Sequence, residues 1–251
     1  MNDPFRIDGK RALVTGASRG IGRAAAECLA AAGARVALNC ARSVEEAEEA
    51  AAQIRAAGGV AEVVPGDVAD AAAVQGIFTR LNELWGGVDI LVNNAAITRD
   101  GFVMMMPEQA WDEVMGVNLR AAFLTSRQAL RPMIRGRWGR IVNVISPAAL
   151  LGKDGAANYA AAKGGLLALS KSLAREVGRY GITVNCVCPG FIDTRMIAGM
   201  PAEQRERFTG QIALGRFGTA QEVAQAIRFL TSPASDYVTA SVLTIDGGLL
   251  G

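Results

Sequence analysis

Seven short apolar runs punctuate the chain, at residues 11–15, 35–40, 61–65, 88–92, 141–145, 182–187 and 242–245, and helical patterns separate them. A strand that is almost continuously Val, Ile and Leu has no face to give to water, so it belongs in a parallel sheet covered on both sides. The helical stretches supply the cover. The first ends at Gly33, and an alanine-rich acidic one over 44–57 ends at Gly58-Gly59. Others span about 70–85, 107–134, 157–180 and 220–231. The pattern predicts an α/β protein with a single-domain, Rossmann-like, doubly wound parallel sheet of about seven strands and helices on both faces. Right-handed crossovers place the working site of such a sheet at the carboxyl ends of its strands. Gly16, Asn93, Ser146 and Pro189 are all expected just past strand ends.

No composition break or linker interrupts the 251 residues, so residues 1–251 are expected to form one domain with one core. A net charge of +2, with the basic residues of 131–140 as the densest scatter, argues against a dedicated nucleic-acid binder. The start MNDPFRIDGK has no apolar leader region, and no apolar run is long enough to span a bilayer. A cytoplasmic protein with no membrane association is expected. Cys28, Cys40, Cys186 and Cys188 lack metal or redox spacing and read as reduced thiols.

The chain contains no histidine. Ser-His-Asp hydrolysis, histidine general-base catalysis and the usual zinc-water sites are thereby excluded. Proton transfer must fall to Tyr, Lys, Ser or a carboxylate. Residues 139–190 offer such a set: a buried strand, a loop carrying Ser146, a helix carrying Tyr159 and Lys163, and a second buried strand. Four residues apart on a helix, Tyr159 and Lys163 share one face. A cation about 5 Å from a phenol favours the phenolate by roughly 3 kcal/mol at an effective dielectric near 20, which predicts a depressed Tyr159 pKa. Such a tyrosine exchanges a proton with a carbonyl or alcohol oxygen, and Ser146 can hold that oxygen. A lone Tyr-x-x-x-Lys is usually a surface pair. Here Ala156, Ala157, Ala160–Ala162, Gly164 and Gly165 strip the helix of bulk, which suits close approach of a ligand or of another helix.

Between the first strand and the first helix lies Thr15-Gly16-Ala17-Ser18-Arg19-Gly20-Ile21-Gly22. Glycines here allow a tight turn and let backbone approach a pyrophosphate at the helix N-terminus. The second strand ends Leu38-Asn39-Cys40-Ala41-Arg42-Ser43, without the acid that would bind a ribose 2′-hydroxyl. Arg19 and Arg42 suit a 2′-phosphate instead, so NADPH/NADP is expected over NADH.

These features together resemble the short-chain dehydrogenase/reductase family over nearly the whole chain, closest to the 3-oxoacyl-[acyl-carrier-protein] and acetoacetyl-CoA reductases. The resemblance rests on TGASRGIG at 15–22, GDV at 66–68, NNAAITRD at 93–100, Asn118 in GVNLRAAF, GRIVNVIS at 139–146, NYAAAKGG at 158–165, VNCVCPGFIDT at 184–194 and the closing DGG. It implies an oxidoreductase of fatty acid biosynthesis that reduces a 3-oxoacyl thioester to the 3-hydroxyacyl thioester. In that reading Tyr159 donates the proton, Lys163 lowers its pKa and holds the nicotinamide ribose, and Ser146 orients the carbonyl. Asn118 holds a relay water or else satisfies backbone groups in a bent helix. The resemblance assigns the cofactor to Gly16, Ser18, Arg19, Gly20, Ile21, Gly22 and Arg42, with Asp67 and Val68 beside the adenine. Asn94 and Ala95 line it, and Pro189, Gly190, Ile192 and Thr194 approach the nicotinamide. The pattern is broken at Ala96, where the family has glycine, and Pro147 stiffens the loop after Ser146.

The substrate side is less specific. Residues 191–214, which hold Phe191, Ile192, Met196, Ile197, Met200, Phe208, Ile212 and Leu214 among polar residues, read as a lid over an apolar pocket or as a helix pair packed on the core. Met104-Met105-Met106 offer an adaptable wall or simple packing, and Arg137 offers a contact for acidic acyl carrier protein or CoA phosphates. The same mechanism on a small ketone, sugar or polyol stays open. A dinucleotide-binding scaffold without turnover is the reading from another class, and the intact Ser146, Tyr159 and Lys163 weigh against it. The resemblance implies a homotetramer built on helices near 107–134 and 157–180.

Overall fold

The computed structural model describes residues 3–195 and 199–251. Seven strands form one sheet: β1 (Arg11–Val14), β2 (Arg35–Cys40), β3 (Val60–Pro65), β4 (Ile90–Asn93), β5 (Gly139–Val144), β6 (Ile182–Pro189) and β7 (Val242–Ile245). Their order is β3-β2-β1-β4-β5-β6-β7, with every neighbouring pair parallel. The order reverses between β1 and β4, which opens a crevice above that point.

Side-chain alternation explains why the strands read as continuous apolar runs. On one face, Ala12 and Val14 of β1, Val36 and Leu38 of β2, Ile90 and Val92 of β4 and Val142 and Val144 of β5 join one core. The residues between them, Leu13, Ala37, Leu91 and Ile141, enter the core on the other face. Helices α1 (Gly20–Ala31), α2 (Val44–Ala56) and α9 (Ala220–Thr231) cover the first face. Helices α3 (Ala71–Trp85), α5 (Ala121–Gly136) and α7 (Ala157–Val177) cover the second.

Strand ends differ slightly from expectation: Asn93 and Pro189 are the last residues of β4 and β6, whereas Gly16 and Ser146 lie two past β1 and β5. The helix expected over 107–134 is divided into α4 (Glu108–Met115), one π-helical turn (Gly116–Arg120) and α5. The wide turn carries Asn118 inward, where its side chain both donates to Ile97 O (2.9 Å) and accepts from Ile97 N (2.8 Å). Gly165 of α7 meets that turn, since a Cβ there would lie 2.8 Å from Leu119 Cδ2. Part of the small-residue surface of α7 therefore serves helix packing.

Beneath the strands' carboxyl ends runs a buried polar network. Asn93 Nδ2 donates to Asn143 Oδ1 (2.8 Å), Thr125 Oγ1 to Asn93 Oδ1 (2.7 Å), Asn143 Nδ2 to Ser170 Oγ (2.7 Å), and Ser170 Oγ to Leu166 O (2.6 Å). It joins β4 and β5 to α5 and α7 at fixed register, because every member left unpaired would carry a desolvation cost. Among the described residues no helix is long and apolar enough to cross a membrane.

Candidate active site

The β1–α1 turn is shaped by what a side chain would hit. Gly16 has φ 62°, and a Cβ on it would come 2.9 Å from Ala95 Cα; one on Gly22 would strike Gly16 O and the Asn94 amide. Asn94 closes this turn rather than facing outward: its Nδ2 donates to Thr15 O (2.9 Å) and Gly16 O (3.0 Å). Thr15 Oγ1 accepts from both Asn94 N and Ala95 N, each at 3.0 Å. Thr15 and Asn39, whose Nδ2 donates to Val64 O and Gly66 O (both 3.0 Å), are structural members that motif reading did not single out. Buried polar residues at strand ends are the signal that would have found them. The N-terminus of α1 has no side-chain cap. Its backbone N–H groups, beside glycines that admit close approach, fit a pyrophosphate.

At the adenosine end, Val68 is buried, while Asp67 is exposed and caps its own turn by accepting from Ala69 N (2.9 Å). Arg42 is exposed after β2. Arg19 Nη1 lies 4.0 Å from Glu46 Oε2, and Arg195 Nη1 lies 2.6 Å from Glu46 Oε1. Thr194 stands over the glycine turn, with Cγ2 3.6 Å from where a Gly20 Cβ would be. Ile192 is buried and pairs with Gly218, and Gly190 approaches Asp246 so closely that a Cβ would fall 2.8 Å from Asp246 Cβ. Ser18 is buried and Ile21 is packed partly into the core at the start of α1.

Ser146 follows β5 and begins the short helix α6 (Ala148–Leu151), accepting through its backbone O from Ala149 N (2.8 Å). Tyr159 and Lys163 lie in the first turns of α7. Lys163 is 2% exposed and donates from Nζ to Val144 O (2.7 Å), at the end of the strand that leads to Ser146. Burial pulls its pKa down to about 8, so the amine is largely charged near neutral pH.

The expected depression of the Tyr159 pKa is corrected by the structure. Burial pushes the phenol above its ordinary 10, the neighbouring Ser146 hydroxyl works the other way, and Cys188 and Asp100 push it further up. The Lys163 amine sits 5.8 Å from the ring centroid and turns to a backbone carbonyl, so desolvation outweighs its field. The phenol is thus held protonated near neutral pH, the form that can give a proton to a carbonyl oxygen. Burial also pushes the Cys188 thiol up to about 12, which leaves it without thiolate reactivity.

On the substrate side, α8 (Ala202–Thr209) contributes no buried residue, and Phe191 stacks on Phe208 (4.4 Å) and Phe217 (5.3 Å). Met196 and Ile197 lie outside the described residues. Arg137 precedes β5, whereas Ser146 follows it, so the two are separated by the strand's length of roughly 20 Å. Arg137 therefore stands at the opposite end of the sheet from Tyr159.

A family model described as enoyl-(acyl carrier protein) reductase matches residues 16–250. The 3-oxoacyl-[acyl-carrier-protein] reductase FabG of Escherichia coli is 45% identical over 245 residues, 98% of this chain and 99% of that protein. A gluconate 5-dehydrogenase from Burkholderia cenocepacia, solved with NADP and tartrate, is 36% identical with a TM-score of 0.94, covering 99% of this chain and 98% of its own. A putative 2-deoxy-d-gluconate 3-dehydrogenase from Agrobacterium tumefaciens with bound NADP is 38% identical, with a TM-score of 0.92 and 99% coverage of both chains. With the sheet order, the glycine turn and the Ser146–Tyr159–Lys163 grouping, these matches establish that the chain belongs to the short-chain dehydrogenase/reductase family of NAD(P)-dependent oxidoreductases.

Proposed function

We propose that this enzyme reduces 3-oxoacyl thioesters, carried on acyl carrier protein or CoA, to 3-hydroxyacyl thioesters with NADPH. The apolar rim of the site carries this reading over a sugar substrate. Phe102, Val103, Met104 and Met105 are 70%, 71%, 93% and 77% exposed, and they follow Gly101, which pairs with Ala156 just ahead of Tyr159. Leu151 of α6, which starts at the Ser146 loop, is 75% exposed and Leu214 is 68% exposed. Exposed apolar side chains of this density suit an aliphatic chain and offer a polyol no hydrogen bonds.

A dinucleotide held at the glycine turn would supply the hydride for the ketone carbon. Ser146 holds the carbonyl oxygen, and Tyr159 protonates it as negative charge develops there. Two hydroxyls converging on one atom suit a carbonyl oxygen rather than a carbon–carbon double bond, which favours ketone reduction over the enoyl chemistry in the family model's description. Lys163 brings a buried positive charge beside the phenol, and in this reading it also holds ribose hydroxyls. Gly16, Gly20 and Gly22 make room for the pyrophosphate, and Arg19 and Arg42 receive the 2′-phosphate. Residues 191–214 close over the acyl chain as a lid within a single domain spanning residues 1–251. A homotetramer built on the helices near 107–134 and 157–180 is part of this proposal, and the half-exposed Trp111, Phe123 and Ile134 support the first of these surfaces.

The test is NADPH oxidation with acetoacetyl-CoA and longer 3-oxoacyl thioesters, beside a panel of keto-sugars and polyols. Turnover that improves with chain length supports the reading. Turnover of the sugar panel alone, as the names of the dehydrogenase relatives suggest, would replace it.

A further inference from the structure

The second residue of α7, Asn158, is fully buried, and its side chain makes three hydrogen bonds, both amide donors among them. Its Nδ2 donates to Arg99 O (3.0 Å) and Ala110 O (3.3 Å), and its Oδ1 accepts from Tyr159 N (2.8 Å). Helix α7 has no side-chain cap at Ala156, so the first-turn N–H of Tyr159 would otherwise lack a partner. Three elements meet at this amide: the segment leading to the apolar rim, helix α4 and the residue that bears the phenol.

The neighbouring ties tether the same segment elsewhere. Ile97 is held by Asn118, Gly101 N donates to Gly155 O (2.6 Å), and Lys153 Nζ pairs with Asp100 (3.0 Å). Of these, the Asn158 amide is the one that reaches the backbone of Tyr159 itself. We infer that Asn158 is a positioning residue for the reaction: it locks the first turn of α7 to the substrate-side segment and so sets where the Tyr159 hydroxyl stands.

The inference rests on Tyr159 as the proton donor, and its test includes a readout that needs no substrate. Tyr159 shares the chain with only two other tyrosines, Tyr180 and Tyr237, so subtracting the phenolate absorbance of Y159F isolates its titration. In N158A the first turn loosens, water reaches the phenol, and ionisation moves down toward the ordinary value of 10. In N158D the acceptor for Tyr159 N remains, but the two donors are lost and a negative charge is added, so ionisation moves up. Opposite shifts in two folded variants are not produced by general loosening.

With whichever thioester the parent turns over, N158A is expected to lower kcat about 10- to 100-fold while KM and NADPH affinity stay within about threefold. N158S is the fallback if N158A does not fold. Unchanged phenol titration in both variants, or parent-like kcat, would overturn the inference. So would a loss of kcat matched by equal losses in cofactor affinity and melting temperature. If the parent turns over no thioester, the proposed substrate fails while the titration still decides the role of Asn158.

Discussion

The two sides of this active site are built from opposite materials. Behind Tyr159 stand buried groups with their partners fixed: Lys163 on Val144 O, Asn158 on three backbone groups, and Asn93, Asn143 and Ser170 in one network. On the proposed substrate side are Phe102–Met105, which follow the Gly101–Ala156 bridge, and Leu151, all exposed and apolar. The first side has one arrangement available to it, because each displaced polar group would be buried unpaired. The second has contacts to gain only when something apolar lies on it. Under the proposed function, reaction type is set by the rigid side and substrate choice by the adaptable one.

The sharpest break between them comes from removing the phenol hydroxyl alone. Y159F is expected to lower kcat by about 10³-fold or more while leaving NADPH affinity and melting temperature near those of the parent. Steady-state kinetics beside cofactor fluorescence titration checks it. A loss confined to KM would move the proton donor elsewhere.

A second prediction separates function from stability on the rigid side. Lys163 keeps its proton up to 10.5 in the unfolded chain but only up to about 8 when buried. Between those values the unfolded state holds the additional proton, so this residue makes stability rise with pH across that window. Below about 8 its full cost, roughly 3 kcal/mol, is present. K163M removes that cost and strands Val144 O, so a net gain of about 1–2 kcal/mol is expected at pH 7. Above pH 10.5 only the stranded carbonyl remains and the variant should be the less stable. Activity should fall at least about 100-fold throughout. Denaturant melts of the cofactor-free protein at both pH values measure the crossover.

Much of the rigid side was legible in the sequence, since strand periodicity and the spacing of Gly16, Ser146, Tyr159 and Lys163 are local properties. The direction of the Tyr159 shift was not. Four residues on a helix fix the distance to Lys163, but how far water is excluded from the phenol is decided by β6, α6 and the 97–101 segment, which are distant in sequence. The same holds for the π turn at Asn118: its side chain is tied to the Ile97 backbone, a contact that no helical pattern over 107–134 reveals. Arg137 illustrates the same limit. A basic residue near a catalytic strand in sequence stands at that strand's other end in space.

The adaptable side predicts a smaller effect that depends on the substrate. Replacing Met104 and Met105 together by Ser should raise KM about five- to tenfold for a long-chain 3-oxoacyl thioester and leave acetoacetyl-CoA nearly unchanged, since one or two buried methylenes are worth about 1 kcal/mol or more. Comparing kcat/KM across a chain-length series reads it out. Equal losses at every length would show that this segment shapes the site rather than the chain's path.

The smallest effect lies at the end of the site proposed for adenosine, where the proposed NADPH preference rests on arginines that the protein itself partly occupies. Glu46 accepts from Arg195 and stands 4.0 Å from Arg19, and its carboxyl is held below its ordinary range chiefly by the Arg195 hydrogen bond. A 2′-phosphate arriving there meets Arg19 beside a carboxylate of its own sign, whereas Arg42 stands exposed after β2. Arg42 should then carry more of the discrimination than Arg19. R42A is expected to lower the NADPH-to-NADH ratio of kcat/KM about fivefold and R19A about twofold, both modest because exposed charges are screened. E46A should raise the ratio by removing the competing carboxylate, and all three effects should shrink as salt is added. If R19A proves the larger loss, Glu46 orients Arg19 toward the phosphate instead of opposing it, and E46A would then lower the ratio.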